Sequence, residues 1–357
     1  MNQSEQKNLK RILVVNVNWI GDAVFSTPVF RALKQTYPGA QVSCLAVPRI
    51  VPVLRCCPWV DEIIVYDEQG VHKSLSGKLL LISLLRRRCF DAAFFLHRSR
   101  TRAWFAFLAG IPRRIGYNTK RLGFLLTHKA VQPPAGSHRA DRYLNVIESF
   151  GVPVRDGSVG LKVDQGMRQD IARLLQACGI GRDDPLCVVH VAGNWQAKRW
   201  PAGCFAELIG RVNAETPLKV VIPSAPADRD LVDDVVRRAG SNPVVLAGKT
   251  SLEQLIALMD RARVVVSSDS GPLHIASAVG TPVVAIFGPT RPEETGPRGQ
   301  GETRVLQEDV GCNREPCYDL ECRKFSCISA VSVNKVLDAV KEFCQKNNGD
   351  ADKGAGF

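Results

Sequence analysis

The chain predicts an α/β fold of two doubly wound parallel-sheet domains, and three observations carry that prediction. Short apolar, β-branched runs recur along the chain and alternate with segments of helical periodicity. At 357 residues the chain has length for two cores rather than one. A stretch at 151–160, rich in glycine and proline and without periodicity, separates two series of these alternations. Strands alternating with helices argue for parallel sheets covered on both faces.

The first series opens with a buried strand at 11–18, a turn through Asn18, Gly21 and Asp22, and a helical pattern at 23–36. Strands are expected at 41–47, 62–66 and 91–96, with a short helix broken by Pro48 and Pro52. A basic amphipathic helix is expected at 73–88 and another helix at 101–109, with a further strand at 113–117. A helix at 140–150 closes the series before the linker.

The second series repeats the architecture without repeating the sequence. Strands are expected at 186–191, 218–223, 244–246, 263–267 and 282–287. Helices are expected at 204–213, 228–239, 252–261 and 273–279, with Gly280 as the stop of the last. A final helix at 333–345 precedes a polar tail. The domains are accordingly placed at 1–158, 159–331 and 332–357, the last being this helix and tail.

The charge is unevenly spread. Residues 1–170 hold 25 Lys and Arg against 12 Asp and Glu, a net +13, whereas 171–357 hold 22 against 23. The basic surplus of the first half implies an anionic partner. No basic helix-turn-helix, zinc-finger or RNA-recognition signature accompanies it, so nucleic acid is not expected. The N-terminal ten residues are polar, with no signal-peptide pattern, and the apolar run at 79–85 is far short of a membrane span, so a cytoplasmic location is expected.

Twelve cysteines are scattered along the chain. Most sit in apolar surroundings and read as small buried hydrophobes. Cys312, Cys317, Cys322 and Cys327 recur every five residues, a spacing that matches no usual metal pattern, so a reduced cysteine-bearing loop is expected rather than a metal. Asp228-Arg229-Asp230 falls in a predicted helix and reads as surface. No catalytic metal and no cofactor are expected. The absence of a P-loop and of a G-x-G-x-x-G turn argues against a nucleotide triphosphatase and a nicotinamide dehydrogenase.

Four segments can carry chemistry. Asp269-Ser270-Gly271 ends a predicted strand and opens a helix, a turn expected to expose Asp269, Ser270, backbone N–H groups and, one turn on, His274; such a helix start suits a diphosphate. Serines here also serve as plain helix caps, and a single helical histidine is commonly just packed. Asp22 opens the helix after the first strand, where a carboxylate also simply complements the macrodipole. Lys198-Arg199, followed by Trp200-Pro201, lies beyond the first strand of the second domain, near Gly193-Asn194. Arg98, Arg100 and Arg102 follow a first-domain strand and are expected to aim outward, with His138 and Arg139 adding to the supply for an anionic acceptor.

The run D-S-G-P-x-H followed by A-x-x-x-G-T-P-V-V-A-I-F-G-P-T, at 269–290, resembles the nucleotide-sugar site of the glycosyltransferase family that contains the ADP-heptose:lipopolysaccharide heptosyltransferases. N-V-N-W-I-G-D-A-V-F at 16–25 resembles that family's first motif, and A-K-R-W-P at 197–201 its phosphate-contacting element. The resemblance implies the GT-B fold, two such domains facing a cleft, and an inverting, metal-independent glycosyltransferase nearest the members that add the second heptose. It implies Asp22 as general base and Lys198 on the donor's phosphates. It implies that Gly193, Asn194, Arg199, Asp269, Ser270, Gly271 and His274 hold the nucleotide sugar, ADP-heptose. The acceptor implied is the anionic inner core of lipopolysaccharide, reached at the inner membrane surface. A similar cysteine-rich loop occurs in the family. This chain departs from it at Gly193-Asn194, where some relatives carry hydroxyl residues. It departs again at Ser224-Ala225-Pro226-Ala227-Asp228, where relatives usually have glycines and often a glutamate.

Three other readings fit parts of the pattern: the same fold with another donor or acceptor, a nucleotide-sugar epimerase or hydrolase that needs no acceptor, and a binding protein without chemistry.

Overall fold

Residues Arg11–Val15 form β1, buried after its first residue as an apolar run between two sheet neighbours must be. The computed structural model describes residues 9–119, 123–193, 195–312, 316, 317, 319, 322 and 324–350. The chain divides into two units, Met1–Lys162 and Val163–Phe357.

In the first unit β1 is followed by α1 (Ile20–Phe25), α2 (Thr27–Thr36), β2 (Gln41–Ala46), α3 (Val51–Arg55), β3 (Glu62–Val65) and α4 (Leu75–Arg87). Then come β4 (Ala92–Phe95), α5 (Arg100–Leu108), β5 (Arg113–Tyr117), β6 (His128–Ala130) and α6 (Arg139–Glu148). The strands pair in the order β3-β2-β1-β4-β5-β6, and every pair is parallel. The chain builds outward from β1 to one edge, then returns to β4 and builds to the other. The direction of winding therefore reverses between β1 and β4, whose residues Val15 and Phe95 lie side by side. One layer over this sheet is made by α4 and α5, which cover Leu13, Val15, Ala93 and Phe95.

The second unit contains α7 (Gln165–Ala177), β7 (Leu186–His190), α8 (Ala202–Glu215), β8 (Lys219–Ile222), α9 (Arg229–Ala239), β9 (Val244–Val245) and α10 (Leu252–Arg261). It continues with β10 (Val264–Ser268), α11 (Gly271–Ala278), β11 (Val283–Ile286), α12 (Pro292–Thr295), β12 (Thr303–Leu306), α13 (Ser326–Ser329) and α14 (Val333–Asp350). Its parallel sheet runs β12-β11-β10-β7-β8-β9, with the reversal between β7 and β10, where Ser267 stands beside His190. The last helix is part of this core: Val336, Leu337, Val340 and Phe343 pack with Val189, Phe205 and Ile209. The indole of Trp200 is buried there, donates to the Val331 carbonyl at 3.0 Å and meets Phe205 edge-on.

The expected fold class, α/β with two doubly wound parallel sheets, is what the two units show. The turn expected at 18–22 is shorter than foreseen. Helix α1 begins at Ile20, so Gly21 and Asp22 lie inside its first turn. The expected single helix at 23–36 is broken at Ser26, whose hydroxyl folds back on the Ala23 carbonyl at 2.7 Å. Gly280 takes a φ of +91° just past α11, the left-handed stop for which glycine is suited.

Among the described residues, no helix is long and apolar enough to cross a membrane. All twelve cysteines are unpaired. No group of three or more His, Cys, Asp and Glu side chains gathers among the described residues in a way that would hold a metal.

Candidate active site

In a doubly wound sheet, the loops leaving two adjacent strands in opposite directions open a crevice at their carboxyl ends. Both reversals place the sequence-predicted residues at such a position. In the first unit the loops are those after β1, leading to Asp22, and after β4, leading to Arg98. In the second they are those after β7, leading to Gly193 and Lys198, and after β10, leading to Asp269, Ser270 and Gly271.

Asp22 sits on the first turn of α1, partly exposed. Its Oδ1 accepts a 2.9 Å hydrogen bond from the Tyr143 hydroxyl and lies 3.5 Å from the Arg139 guanidinium. Burial, then the negative charge of Asp22, pushes the Tyr143 phenol well above its ordinary value, so it is a neutral donor across the working range. Arg139, predicted for the acceptor, is thus beside the carboxylate. Tyr143 carries no sequence signal; it is one apolar-face residue of α6, brought to Asp22 from 121 positions away.

Two further predictions in this unit need correction. Arg102 does not aim outward. It is buried, and its guanidinium donates to the Asn16 carbonyl at 2.9 Å and to Asn18 Oδ1 at 2.8 Å, above the Tyr66 ring. On a helix that packs against the sheet, the third residue of Arg100–Leu108 faces inward, and the loop after β1 supplies the acceptors that make burial of the charge tolerable. His138 is also buried. Its Nδ1 accepts from the Ala140 N–H at 3.1 Å as the cap of α6, and its ring packs edge-on against Phe25. Arg98 and Arg100 are exposed, as expected, with Arg98 over the Tyr117 ring.

The second-unit site is organised around a carboxylate. Asp269 Oδ2 is 2.5 Å from Lys198 Nζ and accepts from the hydroxyls of Thr290 at 2.8 Å and Thr295 at 3.2 Å, while Oδ1 is 3.3 Å from His274 Nε2. Burial works to raise the Asp269 carboxyl. The His274 hydrogen bond and the Lys198 charge overcome it and hold the group well below the usual carboxylate range. Lys198 is fixed a second time by the Trp195 ring, 4.8 Å away.

The expected exposure of this turn is therefore corrected: Asp269, Ser270 and His274 are buried, because Lys198, Thr290 and Thr295 close over the carboxylate. Ser270 is the residue before α11, yet its side chain does not cap the helix. Its hydroxyl pairs with Ser267 Oγ at 2.9 Å and approaches His190 Nδ1 at 3.5 Å. Burial lowers His190 to about 4, so the ring is neutral and serves these hydroxyls. Gly271 and Pro272 remain partly exposed at the helix start.

Arg199 bridges the neighbouring loop, donating to the Gly193 carbonyl at 3.0 Å and lying 3.7 Å from Asp228. Asn194 lies outside the described residues. At the departure noted after β8, the Ser224 hydroxyl is buried with no hydrogen-bond partner.

The arrangement supplies a held carboxylate in one unit. In the other it supplies a fixed ammonium, a guanidinium and an uncapped helix start, which are the groups that receive an anion leaving with negative charge. Thr290 and Thr295 were missed by sequence reasoning, although Thr290 closes the G-P-T run that was singled out.

Residues 79–324 match the family described as glycosyltransferase family 9 (heptosyltransferase). The chain is 28% identical to lipopolysaccharide heptosyltransferase 2 of Salmonella typhimurium, over 85% of this chain and 90% of that one. It is 30% identical to lipopolysaccharide heptosyltransferase 3 of Escherichia coli, over 76% of this chain and 80% of that one. A crystal structure of a family 9 glycosyl transferase from Veillonella parvula superposes with a TM-score of 0.82 at 24% identity, covering 96% of this chain and 99% of that one. At that identity the superposition speaks for the fold.

Proposed function

Because this chain belongs to glycosyltransferase family 9, the heptosyltransferases, we propose that it transfers a heptose from ADP-heptose to the inner core of lipopolysaccharide. The observation that carries the site is the coincidence, in each sheet, of the winding reversal with the chemically distinctive residues: Asp22 beyond β1, and Lys198 and Gly271 beyond β7 and β10.

The reaction is one displacement at the anomeric carbon. The acceptor hydroxyl oxygen forms the new glycosidic bond as the bond from that carbon to the diphosphate oxygen breaks, and ADP leaves with the electron pair. The configuration inverts. Asp22 takes the hydroxyl proton on Oδ2, since Oδ1 is engaged by Tyr143. Lys198, Arg199 and the N–H groups at the start of α11 take up the charge that develops on the diphosphate. Asp269 and His274 then act behind Lys198, fixing where its ammonium points, rather than on the sugar. Gly193, whose carbonyl Arg199 holds, completes the donor side, and Arg98 and Arg100 meet the acidic groups of the acceptor.

The basic surplus of the first half supports work at an anionic inner membrane surface on the cytoplasmic side. The test is transfer from ADP-heptose to heptose-free and mono-heptosylated core acceptors with a chelator present. Product on the mono-heptosylated acceptor alone is expected. Donor consumed without acceptor would replace this reading with an epimerase or hydrolase.

A further inference from the structure

Helix α4, expected as a basic amphipathic helix, exposes leucines alongside its arginines: Leu75, Leu79 and Leu80 are outward with Ser76, Arg86 and Arg87. Successive residues turn by about 100° around a helix. The buried positions Gly77, Leu81, Ile82 and Leu85 therefore mark one side of α4, and Leu75, Leu79 and Leu80 lie on the other, 73%, 56% and 67% exposed. Beside it, α5 buries Arg102, Ala103, Phe105 and Ala106 and turns Trp104, Phe107 and Leu108 outward.

The two outward faces belong to one surface. Both helices lie on the same side of the first sheet, over a shared core. The Arg86 guanidinium at the end of α4 donates to the Leu108 carbonyl at the end of α5 over 2.7 Å. Trp104 is joined edge-on to Phe107 and to the exposed Phe124. Aromatic rings and leucines of this size on one layer are not the scattered exposure expected of a soluble surface. The rim is cationic, with Arg86 and Arg87 at one end and Arg100 at the other, all exposed.

We infer that the outer layer made by α4 and α5 is a docking face for an anionic lipid bilayer, the aromatic and leucine side chains entering the interface while the arginines meet lipid phosphates. The occupant follows from charge complementarity. An apolar face with exposed arginines at both ends, on the basic half of the chain, fits a surface that offers both acyl chains and negative headgroups. The inference deepens the functional reading, since a lipid-linked acceptor is met at such a surface, but it is tested without it.

Full-length protein is sedimented with vesicles of phosphatidylethanolamine and phosphatidylglycerol, and with vesicles of phosphatidylcholine alone. Wild type is expected to pellet with the first and much less with the second, and to be released by salt. The double variant Leu79→Gln/Leu80→Gln, and separately Phe107→Ser, should bind anionic vesicles about 10-fold or more weakly. Turnover on a water-soluble, lipid-free core acceptor and the melting temperature should stay at wild-type values. Equal binding by wild type and both variants, or no wild-type binding, overturns the proposal. So does a wild-type dimer that the variants dissociate, since the face would then be covered by a second copy. Failure of wild type on the soluble acceptor, with vesicle binding intact, would count against the functional reading alone.

Discussion

The Tyr143 hydroxyl donates to Oδ1 of Asp22 at 2.9 Å, from a side chain that is itself buried. In the proposed mechanism, that bond leaves Oδ2 as the oxygen that accepts the proton. Tyr143→Phe keeps the ring and removes only that donor, so the expected result is a fall in kcat of about 10-fold with donor KM nearly unchanged. Asp22→Ala should cost about 100-fold or more in turnover, again with donor binding retained. A rise in donor KM equal to the loss in Tyr143→Phe would mean that the tyrosine shapes binding rather than the base. Single-turnover rates and donor titrations separate the two.

Lys198 and Asp269 form a pair that is nearly all buried, and removing one partner differs from removing both. Lys198→Met strands a buried carboxylate and should destabilise the fold by about 3 kcal/mol, besides abolishing tight donor binding. Lys198→Met combined with Asp269→Asn removes both charges, so it should recover most of that stability without recovering activity. The sign of the acid response follows from Asp269, whose folded value is depressed. Its contribution is present above the unfolded carboxylate value near 3.8 and is lost as pH falls below it. Urea midpoints of the double variant should therefore lose less than wild type at the acid end. An equal loss would show that the pair does not govern that limb.

His190 works in a different pH window. Its folded value, lowered by burial to about 4, lies below the ordinary 6.5. The unfolded chain therefore binds the proton first, and stability falls as pH drops from 6.5 toward 4. The shift corresponds to about 3 kcal/mol at most, fully present above 6.5. His190→Gln keeps a hydrogen-bonding side chain near Ser267 and Ser270 but cannot be protonated. Its urea midpoint should stay flat through this window while wild type declines. A parallel decline in both proteins would remove His190 as the cause.

Much of the framework was legible because it rests on local signals. The strands at Leu186–His190 and Val264–Ser268 are buried apolar runs, and the helix after Ser270 has proline in its first turn and stops before glycine. The edge strands β6 and β12 were not foreseen. Thr303–Leu306 is mostly exposed and holds an arginine, so it carries no apolar run, and its place comes from pairing with β11. Helix α7 buries only Ile171 and Leu175, too thin a stripe to stand out. In the site, the residue types were legible and their partners were not. Lys198 meets Asp269 across 71 positions and Tyr143 meets Asp22 across 121, distances over which no local pattern reports. Burial of Asp269 follows from those partners, which is why a turn read as exposed is closed.

Arg102 gives the sharpest contrast between residue type and role. It shares a loop and helix with Arg98 and Arg100, yet its guanidinium braces Asn16 and Asn18 in the loop that leads to Asp22. Arg102→Ala leaves a buried carbonyl and an amide oxygen without their donor and opens a gap over Tyr66. About 3 kcal/mol of stability should be lost, seen as a lower urea midpoint. Turnover should also fall, because the loop carrying Asp22 loses its brace. Arg98→Ala and Arg100→Ala, both at exposed positions, should leave the midpoint within about 0.5 kcal/mol and instead raise the KM for the anionic acceptor several-fold. If Arg102→Ala raised acceptor KM while keeping wild-type stability, the brace would be wrong and the charge would be working on the acceptor after all.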